Sequence, residues 1–398
     1  MQLAISIIGL LGLIGLGFLF SENRKLVKWR IVIVAALIQF AIALLVIKTP
    51  FGAAALEGMS NGVQHIMNYA NEGIMFLFGG LFTGETKYVF AINTLPIVIF
   101  FSALISLLYY FGVMQFIVRT IGGAISKLLG TTKAETFSGV MNIFTGQTDS
   151  PLVIKPYLNK LTKSEMFAVL VGGTGSMSGA ILVGYAMLGV PLKWLVLACF
   201  MTTCSSLLVA KLLVPETEES ETNGKLTIDR KQGAVNVFDA ISQGVMNGLQ
   251  MVLAIGAMLI AFISLVALIN GLLGLFGISL AEILGYAFYP IAWLTGVDTS
   301  EVMRLAQLLG QKFTLNEFIA YSELGSHVGE LSERTVAIAT IACGGFANLS
   351  SIGILLGGFG VLVPEKRHII AKYGFRAVCG GLLANLISAT IVGLVMLF

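Results

Sequence analysis

Asn142, Gln147, Thr148, Asp149 and Ser150 stand close together in the stretch Asn142-Ile143-Phe144-Thr145-Gly146-Gln147-Thr148-Asp149-Ser150-Pro151. Its amides, hydroxyls and carboxylate offer both hydrogen-bond donors and acceptors. Two further polar groups lie in the second half of the chain, Thr314-Leu315-Asn316-Glu317-Phe318 and Gly344-Gly345-Phe346-Ala347-Asn348-Leu349-Ser350-Ser351. Glu317 is the most informative, because a carboxylate at membrane depth is costly and faces a cavity or a partner; the plainer reading is a loop charge. Asp149 precedes Ser-Pro, which is also ordinary turn or helix-start chemistry. Phe346 alone would be core packing, whereas beside Asn348 and Ser351 it suits covering an aromatic or sugar ring. Asp149 and Glu317 are the carboxylates to consider for acid–base work, but no nucleophile and base pair stands out. The cluster Gly172-Gly173-Thr174-Gly175-Ser176-Met177-Ser178-Gly179 loosely matches a dinucleotide-binding pattern. No predicted strand precedes it, so that match is a decoy. Asn348 and Ser350 form a glycosylation sequon by chance, since its flanks are apolar.

The chain that positions these groups is 57% hydrophobic and 11% charged over 398 residues. A soluble domain carries roughly 25% charge, so this is an integral membrane protein. The 46 glycines fit close helix packing in lipid. A net charge of +3 is too small to argue for nucleic acid. Cys199, Cys204, Cys343 and Cys379 sit inside apolar runs, and His65, His327 and His368 are scattered, so neither a disulfide framework nor a metal centre is expected.

In hydrocarbon an unpaired backbone amide costs several kcal/mol, so polar non-helical backbone needs protein or water around it. The apolar runs flanking residues 142–151 are too short to span, since a crossing helix needs ~20 residues. The stretch reads as the tip of a re-entrant hairpin, with a surface loop between two spans as the alternative.

Residues 2–20 read as a retained span, since neither a basic leader nor a cleavage motif is present. Arg24, Lys25, Lys28 and Arg30 place 21–30 in the cytoplasm and the N-terminus outside. A second span covers about 31–48. Residues 51–84 are mixed and remain unassigned. A span from Pro96 to Gly112 leads to an interfacial helix over 115–129. Thr162-Lys163-Ser164-Glu165 is a capping-box pattern, and the helix it opens is broken at the glycine and hydroxyl cluster. A span from Trp194 to Leu213 leads to a cytoplasmic linker, Pro215 to Gln232. Val237 to Ile278 is too long for one perpendicular span, and 279–297 reads as a second interfacial helix. The order then repeats: a polar tip at 314–318, a start signal at Leu331-Ser332-Glu333, and a helix interrupted at Gly344 to Ser351. The first broken helix ends outside and the second, followed by Glu365, Lys366, Arg367 and His368, in the cytoplasm. The repeats are inverted, which points to a secondary transporter with its substrate near the midplane.

The predicted fold class is thus an all-α polytopic membrane protein with about eight transmembrane helices, two re-entrant hairpins and two broken helices in inverted repeats. The expected organisation is 1–112 scaffold helices, 113–235 first repeat, 236–278 long scaffold helix and 279–398 second repeat.

With Gly146-Gln147-Thr148-Asp149-Ser150-Pro151, Asn316-Glu317-Phe318 and Gly345 to Ser351 in hand, the chain resembles a concentrative nucleoside transporter of the bacterial type. The three motifs occur in the family's order, and the likeness covers nearly the whole chain. It implies a homotrimer in the bacterial cytoplasmic membrane, each protomer pairing a trimerisation scaffold with a transport domain that moves like an elevator. By the same resemblance Gln147 and Thr148 would bond the nucleobase and Ile181 would pack on it. Glu317, Asn348 and Ser351 would hold the ribose, with Phe346 lining the site. Sodium would be held by the side chains of Asn142 and Ser176 and by carbonyls of Thr145 and Met177, an all-oxygen set suited to a hard cation. The family's glutamate is here Asp149, one methylene shorter, which puts in question its contact with substrate or its part in coupling. Proton-coupled members exist, so the retained Asn142 and Ser176 favour sodium over a proton without deciding it. A sodium ion or proton is thus the coupling ion, and no further cofactor is expected.

Three functions compete: cation-coupled nucleoside import, which is preferred; a channel for nucleosides or small solutes, since polar re-entrant loops also build filters; and an intramembrane hydrolase using Asp149 and Glu317.

Overall fold

The computed structural model describes residues 2–81, 89–147, 149–222 and 234–398, and its regular structure is entirely helical within them. Two apolar helices open the chain, α1 (Gln2–Leu19) and α2 (Trp29–Lys48). The mixed segment that follows is mostly one helix, α3 (Pro50–Phe78). The Thr49 hydroxyl caps it, accepting from the Gly52 N–H at 3.0 Å, and Pro50 stands in the first turn, where a missing N–H removes no helical bond. Leu56, Met67, Ala70 and Ile74 face inward while Glu57, His65 and Asn71 are exposed. The polar interruptions therefore mark one side of an amphipathic helix.

A short turn, α4 (Phe90–Asn93), leads into α5 (Leu95–Tyr110). Then α6 (Val113–Ile117), a π turn at Val118–Gly122 and α7 (Gly123–Leu129) make one continuous helical run over the segment expected to lie in the interface. The first hairpin has α8 (Lys133–Met141) as one arm and a 3-10 stretch, Ser150–Lys160, as the other. Pro156 lies inside this second arm and removes a donor that an α-helix would use. The first broken helix is α9 (Lys163–Gly175) with α10 (Gly179–Met187), followed by α11 (Leu192–Leu213). The second half has α12 (Val237–Leu273), α13 (Leu280–Leu294), a hairpin of α14 (Val302–Thr314) and α15 (Glu317–His327), a broken helix of α16 (Glu333–Ala342) and α17 (Ser350–Leu362), and α18 (Arg367–Val395).

Capping chemistry fixes where these elements begin. Thr132 with Glu135 and Thr162 with Glu165 form capping boxes at α8 and α9. Ser332 opens α16 by accepting from the Thr335 N–H at 3.3 Å. Among the described residues 7 crossings are long and apolar enough to span by length and composition. The remaining expected crossing is α16 with α17, which its break divides into halves shorter than a span.

The crossings at α9–α10, α11 and α18 are 94% buried over their apolar windows, against 6% for the one containing α12. The former are the core and α12 lies along its outside. Its 37 residues would run ~55 Å at 1.5 Å per residue, beyond a ~30 Å hydrocarbon layer, so it tilts or protrudes. It lies against α5 through Gly244 and Gly248, where a Cβ would come within 2.7 Å of the Ala103 and Ile99 Cα atoms. This is the small-residue contact that lets helices approach in lipid.

Polar ties hold the core. The Ser388 hydroxyl donates to Gln39 Oε1 at 2.9 Å, joining α18 to α2. Lys211 of α11 pairs with Glu135 of α8 at 2.7 Å, both side chains buried. Glu22, in the loop after α1, accepts from the Tyr373 hydroxyl at 2.8 Å and from Lys163 Nζ at 3.0 Å. Burial alone would raise the Glu22 carboxyl; these hydrogen bonds and the Lys163 and Arg376 charges outweigh it and hold the group below its ordinary 4.5.

Candidate functional site

The two hairpin tips and the two helix breaks meet in the middle of the core. In the first break the chain leaves α9 at Gly175 and re-enters helix at Gly179, where the Ser178 side chain caps α10. In the second it leaves α16 at Ala342 and re-enters at Ser350. The breaks are bonded to each other, since the Phe346 N–H donates to the Ser176 carbonyl at 3.3 Å. Gly345 has φ +70°, and a Cβ there would sit 2.3 Å from the Gly175 carbonyl oxygen, so only glycine allows this crossing. Asn385 of α18 donates to the Gly344 carbonyl and so satisfies backbone that the break has freed.

Between tips and breaks lies a cavity of about 200 Å³. Gln147 reaches it from the first tip, Asn316 and Glu317 from the second, and Phe346, Asn348 and Ser351 from the second break. Ile181 of α10 adds an apolar face, and Met251, Ile255 and Met258 of α12 close the wall. Asn316 caps α15 through the Ile319 N–H at 3.0 Å, which fixes Glu317 as its first residue.

The polar groups form one network. Glu317 Oε1 accepts from the Tyr185 hydroxyl at 3.0 Å and Oε2 from Asn348 Nδ2 at 2.9 Å. Asn348 Oδ1 accepts from the Ser351 N–H at 3.0 Å, and Ser351 Oγ donates to the Phe346 carbonyl. Gln147 Nε2 donates to Ser351 Oγ at 3.4 Å, while the buried Gln147 Oε1 has no partner among the described residues. A buried acceptor without a partner is uncomfortable, and a donor on a bound solute relieves it. The amide from one half and the carboxylate from the other can grip two ends of a small polar molecule, while Phe346 and Ile181 take a flat or apolar part.

Asp149 stands elsewhere. It lines a neighbouring cavity of about 90 Å³ with Ser106, Thr145, Ser178 and Asn247. A carboxylate pair of Asp149 with Glu317 in one cavity is therefore absent. Thr148 lies outside the described residues.

Asn142 and Thr145, at the first tip, and Ser176 and Met177, in the first break, are the cation ligands the resemblance implies. Asn142 is fully buried, and neither its Nδ2 nor its Oδ1 has a partner among the described residues. A Cβ on Gly172 would lie 3.4 Å from that Nδ2, so the side chain rests against α9 where a bulkier residue would crowd it. Ser176 donates its hydroxyl hydrogen to the Gly172 carbonyl at 2.7 Å, which leaves its oxygen lone pairs to accept. Met177 is buried beside it and Thr145 is half-buried at the tip. Neutral oxygens with one orphaned amide fit a hard monovalent cation.

Four buried polar residues were not singled out from the sequence. Tyr185, which binds Glu317, lies one turn beyond Ile181 on α10, but an aromatic in an apolar run reads as packing. The Glu135–Lys211 pair joins residues too distant in sequence to be matched. Lys312 is completely buried and its Nζ has no hydrogen-bond partner among the described residues. Its signal was available, since it is a charge at membrane depth five positions before Glu317.

Hairpin tips meeting broken helices in inverted repeats define a polytopic secondary transporter rather than an enzyme. The family model for the Na+ dependent nucleoside transporter C-terminus matches residues 194–393, that for the N-terminus residues 8–81, and the nucleoside recognition (gate) model residues 91–192. The transporter YutK of Bacillus subtilis is 46% identical over 396 residues, 98% of each chain. Nucleoside permease NupC of Helicobacter pylori is 42% identical over 407 residues, covering 98% of this chain and 97% of its own. CNTnw in an inward-facing substrate-bound state superposes with a TM-score of 0.95 at 43% identity, over 99% of both chains. A doubly substituted CNTnw in an outward-facing state gives 0.94 at 42%, over 100% of this chain and 98% of that one. The chain belongs to the Na+ dependent, concentrative nucleoside transporter family.

Proposed function

We propose that this chain imports nucleosides across the bacterial cytoplasmic membrane by sodium symport, with elevator-type alternating access. The observation that carries the reading is the single cavity in which Gln147 of the first repeat faces Glu317, Asn348 and Ser351 of the second. Gln147 reads the base with Thr148, Ile181 packs on it, and Phe346 lines the site. Glu317, Asn348 and Ser351 hold the ribose hydroxyls, since a carboxylate accepts from hydroxyl donors in charge-assisted bonds. Asp149, expected among the substrate residues, lines the adjoining cavity and not the one that holds Gln147 and Glu317. Asn142 and Ser176 with carbonyls of Thr145 and Met177 hold the co-transported sodium. Both sites draw on the tip and broken helix of the first repeat, so a cation there stiffens the tip that carries Gln147.

The division of labour proposed for the chain is a scaffold drawn from 1–112 and 236–278 and a moving unit built from repeats 113–235 and 279–398, assembled as a homotrimer, with α1 and α2 carried by the moving unit because Ser388 binds Gln39 and Glu22 binds Tyr373 and Lys163. Two features support it: α12 has its own glycine-lined contact with α5, while tips and breaks are bonded to one another.

Proteoliposomes offered labelled uridine test the reading. An inward sodium gradient is expected to concentrate uridine above equilibrium, and collapsing that gradient to release it. Uptake that only equilibrates would make the protein a channel. Uptake indifferent to sodium but abolished by a protonophore would replace sodium with a proton.

A further inference from the structure

The two repeats share one register. Asn142 precedes Thr162, the cap of its broken helix, by the same interval as Lys312 precedes Ser332. In that register Gln147 corresponds to Glu317, and Ser176 to Phe346. Contacts follow the same correspondence. The Ile143 carbonyl lies 3.2 Å from where a Cβ of Gly179 would be, and its counterpart, the Phe313 carbonyl, accepts from the N–H of Leu349, the counterpart of Gly179, at 3.0 Å.

The chemistry at the paired positions is complementary. The first repeat has a neutral tip, Gln147, and a buried amide at Asn142 with no partner for either side-chain atom among the described residues. The second has an anionic tip, Glu317, and a buried ammonium at Lys312 with no hydrogen-bond partner among the described residues. Where the first break presents the Ser176 hydroxyl, the second presents the Phe346 ring, which has no oxygen to give a cation. Lys312 lies in the last turn of α14, and Glu317, of opposite charge, is the first residue of α15 across the same tip. A lone buried ammonium is too costly to be retained for packing, since a methionine would fill the same volume without desolvating a charge.

We infer that the Lys312 ammonium is a tethered stand-in for a second coupling cation: it occupies the place in the second repeat that Asn142 offers to a mobile ion in the first, at the foot of the tip that carries Glu317. The repeat pair then takes from solution one cation fewer than two symmetrical halves would. Lys312 touches neither substrate nor ion and is a positioning residue. This inference rests on the nucleoside and cation roles proposed above.

The test uses uridine binding to the purified full-length protein at varied sodium, followed by calorimetry, and labelled-sodium flux per uridine in proteoliposomes. Wild type should bind uridine with a Hill coefficient for sodium of about 1, and Lys312→Arg should resemble it. Lys312→Met should weaken uridine binding on the order of 10-fold or more, because Glu317 loses its counter-charge. Its loss should not add to that of Glu317→Gln, since both break one coupled pair. Lys312→Asn rebuilds the first repeat's amide, so its sodium dependence should steepen toward a Hill coefficient of about 2, with more sodium carried per uridine. Lys312→Met that binds uridine as wild type does, or losses that simply add, would overturn the inference. If Lys312→Met fails to fold, the double variant Lys312→Met/Glu317→Gln, with no charge left alone, should fold; a double as unstable as the single refutes the pairing. Wild type that neither binds nor accumulates uridine in sodium would instead sink the reading of the whole site.

Discussion

Replacing Glu317 by glutamine keeps the side chain's size while removing its charge and exchanging one acceptor oxygen for a donor amide. Glu317 is 4% exposed and accepts from Tyr185 on one oxygen and from Asn348 on the other. A glutamine there satisfies one of these donors and turns its NH2 toward the other, so one interaction is lost before any substrate arrives. The charge assistance to a ribose hydroxyl also goes. A hydrogen bond to a charged group is worth about 1.5–3 kcal/mol, which is roughly 10- to 100-fold in affinity. Glu317→Gln is therefore expected to weaken uptake of every nucleoside by a similar factor of that size, whatever the base. Deoxy analogues should be handled less well by wild type and should lose less on mutation, because the hydroxyl that Glu317 would hold is already missing. Free uracil should be a poor substrate for both proteins. The assay is initial uptake of uridine, a deoxy analogue and uracil in proteoliposomes, compared as a cycle across wild type and variant. Equal losses for uridine and for every deoxy analogue would remove Glu317 from the ribose site and leave it a structural charge.

Gln147→Ala should lower affinity by ~1–3 kcal/mol and reorder the bases; competition among nucleosides measures this, and an unchanged ranking means the tip does not read the base. Asn142→Ala should raise the sodium concentration for half-maximal uptake far more than it changes expression, and a sodium titration of uptake against protein level decides it. Gly345→Ala should destabilise the crossing of the breaks by at least ~1–3 kcal/mol, from its positive φ and the 2.3 Å approach to the Gly175 carbonyl oxygen; thermal unfolding in detergent reads it, and an unshifted melt refutes the contact. Glu22→Gln should cost about 1 kcal/mol at neutral pH. Because the folded carboxyl lies below its ordinary 4.5, that contribution is present above about 4.5 and lost as pH falls through the folded value. The gap between wild type and Glu22→Gln in thermal unfolding should thus close on acidification, and a gap that widens would contradict the assignment.

The features readable in the sequence were those in which a local cost betrays a long-range cause. Polar backbone at 142–151 and a carboxylate at 317 are expensive in lipid, so each pointed to a cavity without any knowledge of what surrounds it. Capping signals at Thr162 and Ser332 located both broken helices, because the residues that cap a helix are its near neighbours. Where the outcome depended on direction, sequence was silent. Asp149 is two residues from Gln147, yet a turn sends the two side chains into different cavities. Lys312 stands at the end of a helix where a cation is ordinary, and only the packing above it reveals full burial. Residues 51–78 resisted assignment because an amphipathic helix with a narrow apolar stripe resembles a broken span when read by mean hydropathy alone. The 3-10 second arm of the first hairpin follows from Pro156, whose presence was visible but whose effect on an arm of that length was not.

The hydrogen bond from Phe346 to Ser176, with Gly345 set against Gly175, makes the two half-sites a fixed gauge. Gln147 and Glu317 stand on different repeats, but the breaks beneath them are joined backbone to backbone. On the proposed roles, the site measures the span from base edge to sugar hydroxyl as a caliper does. A longer solute cannot spread the jaws without parting the glycines, and a shorter one touches a single jaw. Selectivity of this kind is set by length before chemistry. It also travels unaltered, since a gauge whose jaws share one frame reads the same whichever side of the membrane it faces.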